Sequence, residues 1–423
     1  MCLYIGELSI IYIVCYDEKK YLNMRIILIT LSTPTYNNVR AASALPYHLI
    51  MGARETVNID FEIYSYNING IDDLGIAEIE RELNVKIHLL QKPWWMIWMF
   101  RLHLGILRVL LKYPYLSYLR VPEETIKKIK SSNPDIIWIY GEEKAGIAKA
   151  FDGIKRIVTM PDCESMFYYR MLRLRWTTKH LSQILRYALA YWLYRSMERH
   201  NCRSDVIYHF VGEADAEFFK NINPASNAIF LRHPLYAFNE LKKITFSEPK
   251  IKLLFAGRYD FYCQHGSDEL LNAIIKNKKV LQPFYEITFL GKGWEKWNKV
   301  LQGAGFLSSH ILFAPDYIAE IQKHDIQINA IDVGSGTKGK VLDAISNGLL
   351  AFGTKYALEN IAVTNGESCV QYSTVEEAMD RLVDICAHRN EYEQMAETGR
   401  RLVLQEHDRG KNADKLFGIT KVK

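Results

Sequence analysis

This sequence lacks any arrangement of cysteines that is typical of a metal or redox site. The seven cysteines are scattered along the chain, their number is odd, and no C-x-x-C pair occurs. This distribution indicates a reducing compartment and disfavours a structural zinc site. No D-x-D or histidine-rich cluster lies in a setting that suggests metal ligation. We therefore expect no bound metal.

Concentrated charge and long apolar segments are also lacking. The formal net charge is only +5 over 423 residues, and basic residues are interleaved with acidic ones along most of the chain. This balance disfavours nucleic acid as a partner. The apolar run Leu8–Tyr16 follows no basic residue, lacks a signal-peptide cleavage site and is too short to span a bilayer. We expect a cytoplasmic protein in which residues 1–23 are either a disordered extension or a misassigned start.

What is present is the alternation of short apolar runs with helical stretches, over a length suited to two domains. Such alternation predicts an α/β protein with parallel sheets. After a first run that begins at Met24, the predicted strands of the first half are Phe61–Tyr64, Ile87–Leu90, Ile136–Tyr140, Arg156–Met160 and Val206–Val211. Those of the second half are Ile251–Ala256, Glu286–Leu290, His310–Phe313, Gln327–Ala330, Leu349–Phe352 and Cys369–Tyr372.

Two doubly wound, Rossmann-like domains facing a cleft are therefore predicted, with a linker at Glu248–Lys250. The first domain covers residues 24–248 and the second covers residues 249–390. We expect the helical segment 391–423 to pack back onto the first domain, as terminal helices do in such architectures.

Two helical stretches bear on location. Apolar residues recur with a helical period between Lys179 and His200, which predicts a core helix. The stretch Pro93–Lys112 is instead rich in tryptophan, and three of its basic residues fall on one helical stripe. Its residues predicted to contact a membrane are Trp94, Trp95, Trp98, Arg101, Arg108 and Lys112. This composition fits a helix in a membrane interface and fits equally a buried helix whose basic side chains reach water.

The most informative segment runs from Asn329 to Gly348. A short strand is followed by the turn Gly334-Ser335-Gly336-Thr337 and then by a helix. Glycines let a diphosphate approach the backbone, helix-terminal amides attract its charge, and Lys338 or Lys340 can add a cation. The turn therefore predicts an anion-binding loop.

Asp343 lies in the following helix, about two turns from the glycine-rich turn. At that distance its carboxylate can accept hydrogen bonds from a ribose. A solvated helix residue is the alternative interpretation, because acids commonly face water.

The pattern from Gly334 to Gly348 resembles the donor motif of the GT4-like glycosyltransferases of the GT-B superfamily. Phe255–Arg258 resembles the family's first strand of the C-terminal domain with its phosphate-contacting arginine, and Phe289–Gly293 resembles the glycine turn near the nucleotide base. Together these matches span about residues 250–375. The resemblance implies a donor domain that binds a UDP- or GDP-linked sugar as substrate, without metal or cofactor. The implied donor-binding residues are Arg258, Gly334, Ser335, Gly336, Thr337, Lys338 and Asp343.

The sequence departs from the family pattern at two places. Ser335 occupies the position of the first acid, which in the family contacts the transferred sugar, and Cys263 occupies the position of a lysine. The first departure leaves the sugar and the stereochemical outcome open. The implied reaction is hexosyl transfer to a glycan or lipid-linked acceptor at the inner-membrane surface, as in surface polysaccharide synthesis.

In the first half the resemblance is looser and rests on Pro161–Tyr168. Asp162 is the candidate base that deprotonates the acceptor, and Glu164 is the second candidate. Capping of the following helix by Asp162 is the alternative. If the reaction retains configuration, no protein nucleophile is required, whereas inversion requires the base.

Two other functions compete with this interpretation. Gly334-x-Gly336-x-x-Gly339 with Glu359 formally matches the dinucleotide fingerprint of an NAD(P)-dependent oxidoreductase. Glu359, however, lies beyond the end of the strand at which a ribose-binding acid is expected. The other alternative is an inactive protein of the same fold that binds a glycan or a nucleotide sugar, with Ser335 as its sign.

Overall fold

The computed structural model describes residues 24–36, 43–56, 59–95, 98, 110–174, 181–236, 238 and 243–419. It divides into two compact units. The first unit comprises the described residues up to Pro234 together with those from Arg409 onward, and the second comprises those of Leu235–Asp408.

The first unit is built on a seven-stranded parallel sheet. Its strands are β1 (Arg25–Thr30), β2 (Asp60–Ser65), β3 (Lys86–Leu89), β4 (Ile136–Tyr140), β5 (Lys155–Thr159), β6 (Ile207–Phe210) and β7 (Asn227–Phe230). They lie in the order β3-β2-β1-β4-β5-β6-β7. β4 is buried along its whole length, as expected for a parallel strand covered on both faces.

Helices connect these strands. They are α1 (Ala44–Thr56), α2 (Asp73–Leu83), α3 (Glu123–Ser131), α4 (Glu164–Arg173), α5 (Leu181–Asn201) and α6 (Glu213–Ile222). 3₁₀ turns at Tyr115–Tyr118 and Glu142–Phe151 also lie in these connections.

The second unit contains a six-stranded parallel sheet in the order β10-β9-β8-β11-β12-β13. Its strands are β8 (Ile251–Ala256), β9 (Tyr285–Leu290), β10 (Leu307–Ile311), β11 (Ile326–Asn329), β12 (Leu350–Gly353) and β13 (Val370–Gln371). Its helices are α7 (Gln264–Lys276), α8 (Lys278–Leu281), α9 (Glu295–Gly303), α10 (Tyr317–Ile321), α11 (Gly339–Ser346), α12 (Lys355–Leu358), α13 (Val375–Ala387) and α14 (Arg389–Glu406). Both units confirm the predicted α/β class with doubly wound parallel sheets.

The last helix, α15 (Arg409–Phe417), belongs to the first unit. It packs on α1, where a Cβ on Gly52 would stand 2.3 Å from the Arg409 carbonyl oxygen. Phe417 packs against Phe61 and Trp138, with ring centroids 5.7 and 5.1 Å apart. Only the end of the predicted segment 391–423 thus joins the first unit, because α14 packs on α11 of the second.

The units also divide earlier in the chain than the linker predicted at Glu248–Lys250. The Leu235 amide donates to the His407 carbonyl oxygen at 2.8 Å. Phe246 is buried in the core of the second unit, and its amide donates to Glu393 Oε1 at 2.7 Å. These contacts assign the segment from Leu235 onward to the second unit.

Candidate active site

The second sheet brings two loops together where its strand order reverses. β8 and β11 are neighbours, and the chain continues from β8 to β9 and from β11 to β12 on opposite sides. Loops after two such strands diverge, so a crevice opens at their carboxyl ends. The turn Gly257–Arg258 follows β8 and the glycine-rich segment 330–338 follows β11. The predicted anion-binding loop therefore lies at the place where doubly wound sheets bind ligands.

Lys338 holds the glycine-rich loop in shape. Its Nζ donates to the carbonyl oxygens of Ser335 at 2.5 Å and Gly336 at 3.1 Å. A Cβ on Gly334 would stand 2.7 Å from Lys338 Cε and Nζ, so glycine leaves room for the lysine. The Gly336 carbonyl also accepts from Asn360 Nδ2 at 3.0 Å. The loop carbonyls are thereby occupied, and direct contact of Lys338 with a diphosphate stays a prediction.

The loop leads directly into the N-terminus of α11. Gly336 has a φ of +59°, in the left-handed region that favours glycine. Lys338 occupies the N-cap position, and no side chain there caps the helix. The first amides of a helix have no acceptor within the helix and attract anions. With Ser335 and Thr337 half-buried beside them, these amides suit a phosphate group.

Asp332 fixes the two loops relative to each other. Its amide donates to the Tyr262 carbonyl oxygen at 2.8 Å. Its carboxylate accepts from the Gly266 amide at 3.0 Å, in the first turn of α7. The segments after β8 and β11 are therefore joined, which favours a preorganised site.

A cation from α11 reaches the turn after β8. A Cβ on Gly257 would stand 3.2 Å from Lys340 Nζ and 3.7 Å from Lys340 Cδ, so the lysine side chain lies against the glycine backbone. Desolvation lowers the pKa of the Lys340 ammonium, while the carboxylates of Asp260 and Asp343 act in the opposite direction. Lys340 thus adds positive charge where the loops after β8 and β11 meet.

Arg258 is exposed directly after Gly257. The shape of its turn depends on the segment after β9. A Cβ on Gly291 would stand 2.3 Å from the Gly257 carbonyl oxygen, which accepts from Trp294 Nε1 at 2.8 Å. The predicted glycine turn at Phe289–Gly293 therefore packs against the arginine's turn, and its proximity to a nucleotide base stays a prediction.

Asp343 is half-buried in α11 and is not a solvated residue on an open helix face. Burial raises its pKa to about 7, and the Lys340 ammonium opposes that shift. The phenols of Tyr236 and Tyr317 lie near enough for the carboxylate to raise their pKa values further than burial alone. Tyr317 Oη is buried and has no hydrogen-bond partner among the described residues. Sequence reasoning missed both tyrosines, because neither belongs to a motif.

The candidate bases Asp162 and Glu164 lie between β5 and α4 in the first unit. Cys163, and not Asp162, occupies the N-cap position of α4, and it makes no side-chain cap bond. The helix start is instead held by buried acids from α5 and α6. The Ser165 amide donates to Glu198 Oε1 at 3.1 Å, and the Cys163 amide donates to Asp215 Oδ1 at 2.8 Å.

Several carboxyl groups lie close together at the carboxyl-terminal edge of the first sheet. Burial, followed by the charges of Asp162 and Glu143, raises the pKa of Glu164 to about 8. Burial and Glu143 raise the pKa of Glu142 well above its ordinary value, and burial raises that of Glu198 to about 7. Glu142 and Glu143 follow the buried strand β4 as Asp162 follows β5, and this shared position is the signal that could have found them. A carboxyl that titrates near neutrality suits proton transfer.

No group of His, Cys, Asp or Glu within the described ranges could hold a metal ion. Glu359 follows α12, six positions after β12 ends at Gly353. This placement matches the sequence argument against a dinucleotide site, since the ribose-binding acid of that fingerprint belongs at the strand end.

The predicted membrane-contact residues fall into different environments. Trp94 and Trp98 are exposed, and so is Lys112. Trp95, in contrast, is partly buried and packs against the core of the first unit. Arg101 and Arg108 lie outside the described residues. Among the helices that are described, none is long and apolar enough to cross a membrane.

The helix predicted between Lys179 and His200 is α5. The prediction that it is a core helix is wrong for one side of the helix, which is exposed. Leu193 and Met197 are buried, but Leu181, Leu185 and Trp192 are exposed. Apolar residues therefore occupy both the inner and the outer side of α5. Helical periodicity identifies residues that share a side and does not say which side faces the core.

Known proteins match this chain in sequence family and in structure. Residues 267–418 match the family model described as glycosyl transferase-like. None of the curated protein sequences is similar enough to match the chain.

Solved structures match over nearly the whole chain. HepE from Anabaena, in complex with UDP, has a TM-score of 0.58 at 10% identity, covering 93% of this chain and 99% of HepE. A glycosyltransferase from Rickettsia africae has a TM-score of 0.59 at 9% identity, covering 95% and 100%. Sucrose-phosphate synthase from Thermosynechococcus elongatus has a TM-score of 0.61 at 8% identity, covering 94% and 98%.

These similarities show the GT-B fold, as the sequence predicts, and the family match supports a glycosyltransferase. The finer GT4-like assignment stays a prediction.

Proposed function

We propose that this chain of GT-B fold transfers a hexosyl group from a nucleoside diphosphate sugar to a membrane-associated glycan or lipid-linked acceptor. The reaction class fits surface polysaccharide synthesis at the cytoplasmic face of a membrane. The single observation that carries the proposal is the position of Lys340 Nζ, 3.2 Å from where a Cβ of Gly257 would stand. It adds a cation to a loop whose helix-terminal amides already suit a diphosphate.

The donor is proposed to bind along the crevice of the second unit. The amides near Ser335, Gly336 and Thr337 contact the diphosphate, with Lys340 and Arg258 supplying positive charge. Asp343 then accepts hydrogen bonds from the ribose. HepE, of the same fold, has been solved with UDP and with UDP-glucose, which supports a nucleotide sugar as the ligand class.

Departure of the nucleoside diphosphate needs positive charge at the leaving group. Lys340 and the amides of α11 are fixed before the reaction, because Asp332 and Lys338 hold the loops that carry them. Preorganised donors of this kind stabilise developing charge without a metal. The proposed transfer is therefore metal-independent, and activity should persist in EDTA.

Acceptor activation is assigned to the acids of the first unit. Asp162 remains the first candidate base and Glu164 the second. A pKa of about 8 keeps Glu164 largely protonated at neutral pH, so it accepts a proton efficiently only once it has ionised. If transfer inverts configuration, loss of the true base removes activity, whereas a retaining reaction needs no such base.

The first test is ligand binding to the purified protein. We expect UDP or GDP to raise the melting temperature, because a ligand at 100 times its dissociation constant adds about 2.7 kcal/mol. The shift should be strongly reduced in Lys340→Met and in Asp343→Ala. Lys279→Met is the matched control, since Lys279 is an exposed lysine of α8 outside the crevice. Stabilisation by NAD alone would overturn the proposal in favour of an oxidoreductase.

A second test separates transfer from binding. Ser335 stands where the related enzymes carry an acid, and this observation favours an inactive protein that only binds the nucleotide sugar. Incubation with UDP- or GDP-hexoses and membrane lipid extract distinguishes the two functions. Release of nucleoside diphosphate that requires the extract supports transfer, whereas binding without release supports the inactive protein.

A further inference from the structure

We propose that one side of α5 binds the surface of an anionic lipid membrane. This surface, called the α5 face, consists of Leu181, Leu185, Trp192, Arg195 and Arg199 together with Lys112. The inference goes beyond glycosyl transfer, because docking on lipid does not depend on which reaction the protein catalyses. Of these six residues, only Lys112 belongs to the aromatic stretch Pro93–Lys112 identified from the sequence.

The apolar half of the α5 face points away from the protein. Leu181, Leu185 and Trp192 are 72%, 62% and 68% exposed. Their spacings of four and seven residues place them on one stripe of the helix.

The opposite side of α5 fixes this orientation. Leu193 and Met197 are buried, and Glu198 bonds to the start of α4 through the Ser165 amide and hydroxyl. The helix therefore cannot turn its leucines inward without breaking a buried polar contact. Such exposure of large apolar side chains marks an interaction surface.

The basic half of the α5 face continues the same stripe. Arg195 and Arg199 lie three and seven residues after Trp192, so they follow it on the same side. They line a groove of about 380 Å³ whose residues are Lys112, Tyr113, Trp192, Arg195, Ser196, Arg199 and His200. No acidic side chain lines this groove among the described residues.

Aromatic contacts hold two of the cations. Arg195 donates to the Tyr191 hydroxyl and lies 5.5 Å from that ring centroid. Lys112 Nζ lies 5.3 Å from the centroid of Tyr113, which in turn stacks on His200. The groove therefore presents positive charge in a fixed arrangement and suits the phosphate of a lipid headgroup.

The combination of charge with apolar exposure points to lipid and not to a free anion. A free phosphate would use the arginines and Lys112 but would leave Leu181, Leu185 and Trp192 without a function. A membrane uses both halves, since leucine and tryptophan enter the interface while basic side chains contact anionic headgroups. Leu110, two residues before Lys112, is also 80% exposed and extends the apolar rim.

The experiment is co-sedimentation of the full chain with vesicles of phosphatidylcholine, with and without 30% phosphatidylglycerol. We expect binding to the anionic vesicles that weakens as salt is added, because each basic residue near the surface contributes to attraction. Arg195→Gln with Arg199→Gln should weaken partitioning about 30-fold. Leu185→Ser with Trp192→Ser should weaken it comparably even at low salt.

The matched control carries Leu74→Ser, Lys127→Gln and Lys128→Gln. Leu74 is an exposed leucine of α2 and the lysines are exposed on α3, so this variant removes similar groups from other surfaces. It should bind vesicles as the unsubstituted protein does. Circular dichroism and the UDP-induced thermal shift should be unchanged in all variants, which separates membrane docking from donor binding.

Four outcomes would overturn the proposal. One is that the unsubstituted protein does not bind anionic vesicles, and another is that the α5-face variants bind them as well as the control. The third is displacement from the vesicles by millimolar inorganic phosphate, and the fourth is a Trp192-dependent dimer in sedimentation. Displacement would identify a site for a small anion, and the dimer would identify an interface between two copies of this chain.

Discussion

The carboxyl-terminal edges of the two sheets carry opposite chemistry on the same scaffold. In the second unit, the loops after β8 and β11 contribute glycines, helix-terminal amides and the ammonium of Lys340. In the first unit, the segments after β4 and β5 contribute Glu142 and Glu164, whose pKa values are raised. One edge therefore suits an anion and the other suits the exchange of protons. The fold therefore supplies the positions of the sites, and the loop residues decide their chemistry.

Activity should change most when the cation at the carboxyl-terminal edge of the second sheet is removed. Lys340→Met should lower kcat/KM for the nucleotide sugar about 100-fold, because a preorganised donor to the leaving group is lost. Lys340→Arg should recover part of this loss. Steady-state release of nucleoside diphosphate measures the effect, with Lys279→Met as the control. Equal activities of Lys340→Met and the control would show that Lys340 is not part of the proposed site.

The second prediction uses one close glycine contact in each unit. Gly291→Ala would bring a Cβ to 2.3 Å from the Gly257 carbonyl oxygen, and Gly52→Ala would bring one equally close to the Arg409 carbonyl oxygen. Both variants should lose about 2 kcal/mol of unfolding free energy, as overpacked sites do. Only Gly291→Ala should also weaken UDP binding, because only it displaces the Arg258 turn.

Urea titration and calorimetry of UDP binding make this comparison. If Gly52→Ala weakened UDP binding as much as Gly291→Ala, the effect of Gly291 would reflect general loss of stability. The turn after β8 would then have no specific part in binding the donor.

Much of the architecture is predictable from the sequence, because buried parallel strands appear as short apolar runs. β4 and β8 coincide with their predicted ranges at Ile136–Tyr140 and Ile251–Ala256. The outer side of α5 was not predictable, since Trp192 and the neighbouring Leu193 are both apolar although one is exposed and the other buried. Their environments depend on what packs against the helix.

The candidate site was predictable where it follows a motif along the chain. Gly334–Lys338 belongs to one continuous loop, and the structure places it at the expected strand end. The proximity of Lys340 to Gly257 depends instead on the pairing of β8 with β11. In the same way, Tyr317 lies near Asp343 only through the fold. Such contacts join segments far apart in sequence, so no local pattern records them.

The third prediction concerns the ionisation of Glu164 at the carboxyl-terminal edge of the first sheet. Burial raises the pKa of Glu164 to about 8 from an ordinary value of 4.5. The unfolded chain then releases its proton at lower pH than the folded protein, so this group destabilises the fold increasingly as pH rises from about 4.5 to about 8. Glu164→Gln should therefore be nearly neutral at pH 4.5 and stabilising at pH 8, by on the order of 2 kcal/mol.

Chemical denaturation across this pH range measures the difference between the two proteins. Glu217→Gln is the control, because Glu217 lies in the exposed part of α6 outside this cluster. A difference that is constant with pH would show that Glu164 ionises normally. The contrast between the two sheets would then depend only on the positively charged edge of the second sheet.

Donor binding should depend on pH through Asp343, and this is the weakest of the effects that we predict. Its pKa is about 7 in the unliganded protein because of burial, and the ionised carboxylate is the form that accepts two hydrogen bonds from a ribose. Ligand binding should therefore favour ionisation, and UDP affinity should rise about tenfold between pH 6 and pH 8 through this group. The phosphate of UDP titrates in the same range, so the measurement is the difference between the unsubstituted protein and Asp343→Asn by calorimetry. If the two affinity profiles run parallel, Asp343 does not bind the ribose as a carboxylate. If only the unsubstituted protein gains affinity for UDP as pH rises, then burial adjusts the pKa of Asp343 for ligand binding. Burial would in the same way adjust the pKa values of the acids in the first unit for proton transfer.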